Sequence, residues 1–124
     1  MKKVFISFDF DQDRALRDLL VGQSKNPGSP FEVIDSSLHE AAPEKNWPDK
    51  AREKIKAADI VIVIVGALTC HAKGVQEEVK IARELNKKIV QLIGHKDQAC
   101  PRVPNAGILY RWTWDNLQKI LSPA

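Results

Sequence analysis

Short continuous apolar runs alternate along the chain with stretches whose apolar residues recur every three or four positions. That alternation predicts a parallel sheet, buried on both faces and covered by amphipathic helices. VFIS (residues 4–7) reads as the first strand. FEVID (31–35) reads as a second, more peripheral strand, because Glu32 interrupts it. DIVIVIVG (59–66) is the most hydrophobic run and marks the centre of the sheet, while KIVQLIG (88–94) and GILY (107–110) supply the fourth and fifth strands. The first helix opens with Asp11 and Asp13, which suit a helix N-terminus, and carries Leu16, Leu19, Leu20 and Gln23 on one face. The second starts at Trp47-Pro48, where proline suits the first helical position, and places Ala51, Ile55 and Ala58 at i, i+4 and i+7. A third covers 74–85, and a closing helix covers 112–121 with Trp114, Leu117 and Leu121 inward. SKNPGSP (24–30), SSLHEAAPEKN (36–46) and HKDQACPRVPN (95–105) are loops by their turn residues. The expected architecture is a flavodoxin-like α/β fold: five strands in the order 2-1-3-4-5 with helices on both faces. A length of 124 residues makes 1–124 a single domain.

In the third helix, GVQEEVKIAREL, two glutamates stand side by side. At about 100° per residue, Val75, Val79, Ala82 and Leu85 define the apolar face, with Ile81 on its flank. Glu78 falls inside that face, about 40° from Ala82 and about 20° from Leu85. Glu77 points the other way, between Lys73 and Lys80, its i−4 and i+3 neighbours. Glu78 has only Gly74 and Ala82 at its own i−4 and i+4 positions, so no local cation compensates it. Ligands of open α/β sheets bind beyond the carboxyl ends of the strands, near the point where strand order reverses, here between the first and third strands. The loops at that edge are 7–13, 35–47 and 67–74, and the helix bearing Glu78 leaves the last of them. Glu78 is therefore the glutamate placed for chemistry, about one turn into its helix.

Composition narrows the classes. Nineteen Lys and Arg against sixteen Asp and Glu give a net charge of +3, scattered rather than blocked, so charge gives no argument for nucleic acid. MKKVFISF lacks the apolar core of a signal peptide, and no stretch reaches the 18 or so apolar residues of a membrane span, so a cytoplasmic location is expected. Cys70 and Cys100 fit a reduced compartment. A dinucleotide-binding turn needs glycines that SFDFDQD lacks, and Asp9, Asp11 and Asp13 would repel a flavin phosphate there. A phosphoacceptor domain needs an aspartate where the third strand ends, and this chain has Gly66-Ala67. Cys70, His71, His95 and Cys100 share one edge but no ligand spacing, so no metal and no cofactor are expected.

KVFISFDFD, WPDKAREKIKAADIVIVIVGALT, KGVQEEVKIARELNKKIVQLIG and YRWTWDNL together resemble the bacterial TIR-like (Toll/interleukin receptor homology) domains, especially the small branch found in Thoeris antiviral defence. The likeness rests on the strand ending in Ser7, the Gly66-x-x-Thr69 turn, the Glu78, Val79 and Ala82 pattern, and the tryptophans opening the final helix. It implies that Glu78 cleaves the nicotinamide–ribose bond of NAD+, as a glycohydrolase or cyclase, and that a cyclic ADP-ribose isomer activates a partner effector. It also implies a homo-oligomer in which the 36–46 loop of one copy completes the site of another. Relatives often carry Trp-Val-x-x-Glu, whereas this chain has Gly74-Val75-Gln76-Glu77-Glu78. For the remaining site, Ser7 and Phe8 are assigned to the pocket floor and nicotinamide side, and Asp9 or Asp11 to ribose hydroxyls or helix capping. Thr69 is assigned to a phosphate, a ribose or a turn cap, and Trp47 to base stacking or a packing staple. The alternative function is a non-catalytic adaptor acting through contacts between such domains.

Overall fold

The computed structural model describes residues 2–9, 13–34, 47–66, 69, 72–93 and 106–121. The run IVIVIV forms β3 (Ile60–Val65), in which every residue is buried, and the other strands are arranged around it. β1 (Lys2–Ser7) and β4 (Lys88–Ile93) flank it, with β2 (Phe31–Val33) outside β1 and β5 (Ile108–Arg111) outside β4. The order is β2-β1-β3-β4-β5, and each neighbouring pair is parallel, as the sequence pattern predicts. The helices are α1 (Arg14–Ser24), α2 (Trp47–Ala57), α3 (Lys73–Glu84) and α4 (Trp114–Leu121).

Strand alternation sends successive side chains to opposite faces. Val4, Ile6 and Phe8 join Ile60, Ile62, Ile64, Val90 and Leu92 under Leu20 of α1 and Leu117 and Leu121 of α4. Phe5 and Val61 pack instead with Ala51 and Ile55 of α2 and Ile81 and Ala82 of α3. Val63 and Val65 continue that second face with Val75 and Val79. Among the described residues, no helix is long and apolar enough to cross a membrane.

The structure departs from the sequence pattern in a few places. Leu19 is 54% exposed, because α1 presents Leu20 flanked by Leu16 and Val21. Gln23 does face inward, and its Oε1 accepts the Trp112 indole N–H at 2.9 Å. β1 begins two residues early, since Lys2 and Lys3 pair with Phe31 and Glu32 whatever their polarity. α4 begins at Trp114 rather than 112: the Trp112 N–H still donates to the Ile93 carbonyl, and the Thr113 hydroxyl caps the Asn116 N–H at 3.0 Å. Trp112 and Trp114 are partly buried against the α1/α4 core. Asp13 precedes α1 without a side-chain cap, so its carboxylate is used elsewhere.

Gly107, before β5, has φ +85, and a Cβ there would lie 2.0 Å from the Ile89 carbonyl oxygen. Gly107→Ala should therefore lower stability by roughly 1–3 kcal/mol in urea unfolding. Gly22→Ala, inside α1 with nothing within 4 Å of the new Cβ, should raise it by roughly 0.5–1 kcal/mol.

On the outer surface, the Arg52 guanidinium of α2 donates to the Glu84 carboxylate of α3. That hydrogen bond outweighs the opposing effect of desolvation and, together with the charges of Arg52 and Lys80, holds Glu84 below its ordinary value of 4.5. A depressed carboxyl pKa stabilises the fold above the unfolded value and loses that contribution as pH falls through the folded one. Arg52→Ala should thus lower Tm slightly at pH 7, and the difference should shrink as pH drops below 4.5. A difference that stays constant over that range would contradict the pairing.

Candidate active site

β1 ends at Ser7, whose alternation with Phe5 points it to the α2/α3 face at the carboxyl edge of the sheet. Its partner in register is Val63 of β3, so Ser7 stands at the crevice where strand order reverses. α3 buries Val75, Glu78, Val79, Ile81 and Ala82 on one side, which turns Glu78 toward the same crevice. The Ser7 hydroxyl donates to Glu78 Oε1 at 2.7 Å, across 71 residues of sequence, and both side chains are 0% exposed. Glu78 Oε2 is buried as well, whereas Glu77 is only half-buried. A hydroxyl donor to a carboxylate makes a short charge-assisted bond, and it offsets part of the cost of removing the carboxylate from water.

Thr69 is also fully buried, but it meets Asp13 rather than Glu78. Its Oγ1 accepts the Gly66 N–H at 2.6 Å and lies 3.2 Å from both Asp13 Oδ2 and the Ile64 carbonyl oxygen. Asp13 is 5% exposed. The sequence pattern marks Asp13 as a helix opener and an acidic loop residue; its partner Thr69 lies 56 residues away, and no local spacing signals it.

Phe8 belongs to the opposite face of the sheet from Ser7, 2% exposed in the α1/α4 core, with the Arg17 guanidinium 5.5 Å from its ring centroid. Asp9 is half-buried, and its carbonyl accepts the Asp13 N–H at 2.8 Å. Asp11, the Trp47 side chain, the 36–46 loop, Cys70, His71, His95 and Cys100 lie outside the described residues. Nothing lies within 4 Å of a Cβ built on Gly74, one helical turn before Glu78. The described residues contain no group of three or more metal-ligating side chains. A cavity of about 350 Å³ lies at the other, amino edge of the sheet, lined by Arg83, Asn86, Lys87, Ile89 and Gly107.

A flavodoxin-like α/β sheet with a buried acid at the ligand-binding edge is the class that this geometry defines. Residues 5–99, which include Ser7, Thr69 and Glu78, match the family described as Thoeris protein ThsB, TIR-like domain, and the chain belongs to that family of Thoeris defence domains. Among solved structures, a CMP N-glycosidase of Clostridium botulinum, BcmB, superposes with a TM-score of 0.59 at 21% identity, covering 96% of this chain and 97% of its own. A 2-desoxiribosyltransferase from Leishmania mexicana also gives 0.59, at 18% identity over 77% of this chain and 66% of its own. A prokaryotic SEFIR domain gives 0.54, at 20% identity over 96% and 86%. At these identities the likeness establishes the fold. No curated protein matches the chain.

Ser7→Ala removes a hydrogen bond to a buried carboxylate and should cost about 1.5–3 kcal/mol in urea unfolding at pH 7. The same change in a Glu78→Gln background should cost less, about 0.5–1.5 kcal/mol, because the acceptor is then neutral. Equal costs in the two backgrounds would mean that the Ser7 hydroxyl is not holding a charge.

Proposed function

We propose that this chain cleaves the bond between nicotinamide and ribose in NAD+, with Glu78 as the catalytic carboxylate. The observation that carries the reading is a buried glutamate, oriented by Ser7, at the sheet edge where folds of this class bind ligands. Breaking the C1′–N bond sends its electron pair to the pyridinium nitrogen, so nicotinamide leaves neutral and needs no proton. Positive charge passes to C1′ and the ring oxygen of the ribose, and a pre-placed carboxylate stabilises it electrostatically. Ordinary glycosidases use two carboxyl groups because a poor leaving group must be protonated; here one is enough. Attack by water, with loss of one proton, gives ADP-ribose. Attack by a nucleophilic atom of the same nucleotide gives a cyclic product.

Membership of the Thoeris family supports a role in defence signalling. A neighbour named a CMP N-glycosidase and another named a desoxiribosyltransferase support the class of bond, the N-glycosidic link to a pentose. The reading extends to a downstream effector that senses the product and to a homo-oligomer assembled through the 36–46 loop. The competing reading is a non-catalytic adaptor, and one observation favours it: Glu78 has no exposed surface, as a purely structural glutamate would.

Purified protein incubated with NAD+, before and after addition of phage-infected lysate, distinguishes the two by chromatographic release of nicotinamide. Wild type should release it, and Glu78→Gln should be slower by at least about 10²-fold. Release of cytosine from CMP without release of nicotinamide would replace the substrate and would contradict the one-carboxylate chemistry, because a neutral base must be protonated as it departs. Equal activity in wild type and Glu78→Gln, or turnover of neither nucleotide by wild type, would give the adaptor reading precedence.

A further inference from the structure

An aspartate just before a helix ordinarily turns its carboxylate onto the first free N–H groups of that helix. Asp13 makes no such cap on α1, yet its side chain is buried. It reaches instead to the corner that follows β3, where Thr69 Oγ1 lies 3.2 Å from Oδ2. That hydroxyl ties β3 and the residue after it to the start of α1. It accepts the Gly66 N–H, and its single proton is shared between Asp13 and the Ile64 carbonyl at the end of β3. The carboxylate sits so close to Gly66 that a Cβ there would fall 2.3 Å from both of its oxygens.

The corner leads directly to the helix that bears Glu78. The Thr69 carbonyl accepts the N–H of Ala72, the residue that caps α3, at 3.0 Å. The Ala72 carbonyl in turn accepts the Gln76 N–H at 3.1 Å, two residues before Glu78. Asp13 is itself tied to the exit of β1, because its N–H donates to the Asp9 carbonyl at 2.8 Å. The Glu78 carboxylate is thus located from β1 twice: at its tip by Ser7, and at the root of its helix through Asp9, Asp13 and Thr69.

On the reading of Glu78 as the catalytic carboxylate, we infer that Asp13 and Thr69 are positioning residues that set the axial placement of α3, and with it the reach of Glu78 into the crevice. A displacement of about 1 Å at a reacting centre can cost about 10²-fold in rate. Loss of the link should therefore appear in kcat rather than in substrate affinity.

The test measures nicotinamide release by Asp13→Ala, Thr69→Val and Thr69→Ser, with thermal melts to establish that each is folded at the assay temperature. Asp13→Ala and Thr69→Val should lose about 10- to 100-fold in kcat with KM within about threefold, and Thr69→Ser, which keeps the hydroxyl, should stay within about threefold of wild type. Full kcat in folded Asp13→Ala and Thr69→Val, or a loss that Thr69→Ser shares, overturns the inference. A second readout does not need turnover: the side-chain carboxyl ¹³C resonance of Glu78, assigned with Glu78→Gln, should shift in Asp13→Ala and hold still in Arg52→Ala. An unmoved resonance overturns the positioning role even if the enzyme is active. A shifted resonance in a protein that releases no nicotinamide supports it while the proposed reaction fails. Gly66→Ala should lower the urea midpoint strongly in wild type and much less in Asp13→Ala, since the colliding atoms are then gone. Equal losses in the two backgrounds would contradict the contact on which the inference rests.

Discussion

The hydrogen bond from the Ser7 hydroxyl to the Glu78 carboxylate is the constraint from which the geometry of the candidate site follows. A carboxylate with no exposed surface is costly unless donors meet it. Ser7 meets it only because β1 ends at that residue and α3 packs on the face toward which residue 7 points. Shift β1 by one residue, and Ser7 would face the α1/α4 core where Phe8 and Ile6 lie. Rotate α3 by one position, and Glu77 would enter the crevice in place of Glu78. The parallel register of β1 on β3, Ser7 against Val63, therefore matters as much as the two side chains themselves.

Much of this architecture is legible in the sequence because its signals are local. An all-aliphatic run such as IVIVIV has to be a central strand, since any other place would leave one of its faces in water. The inward turn of Glu78 follows from helical periodicity around Val75, Val79 and Ala82. What escapes is what depends on partners far along the chain. In α1, Leu19 is exposed while Val21 packs on the core and Gln23 bonds Trp112, 89 residues away. Asp13 has the local signature of a helix cap, and only the folded corner after β3 shows where its carboxylate goes. Phe8 is adjacent to Ser7 in sequence and for that very reason lies across the sheet from it.

Membership of the Thoeris TIR-like family and the proposed one-carboxylate chemistry meet on a single idea. In the proposed cleavage of NAD+ the leaving group departs neutral and needs no acid, so an oriented negative charge beside the ribose would suffice. Phe8, covered by Arg17 in the opposite core, is not placed beside Glu78, and Thr69 is occupied by Asp13 and the Gly66 N–H. Among the described residues, Ser7 meets Glu78 directly, whereas Thr69 meets Asp13. The basic cleft of Arg83 and Lys87 is remote from Glu78, at the amino edge of the same sheet.

A crystal structure of the Glu78→Gln protein soaked with NAD+ addresses the central claim most directly, because the substitution keeps the shape of the site and slows turnover. Density for the ribose with C1′ within about 3.5 Å of the side chain at position 78, and nicotinamide still attached, is the expected result. A nucleotide bound instead at the amino-edge cleft by Arg83 and Lys87, with position 78 still sealed against Ser7, would contradict a catalytic role for this carboxylate.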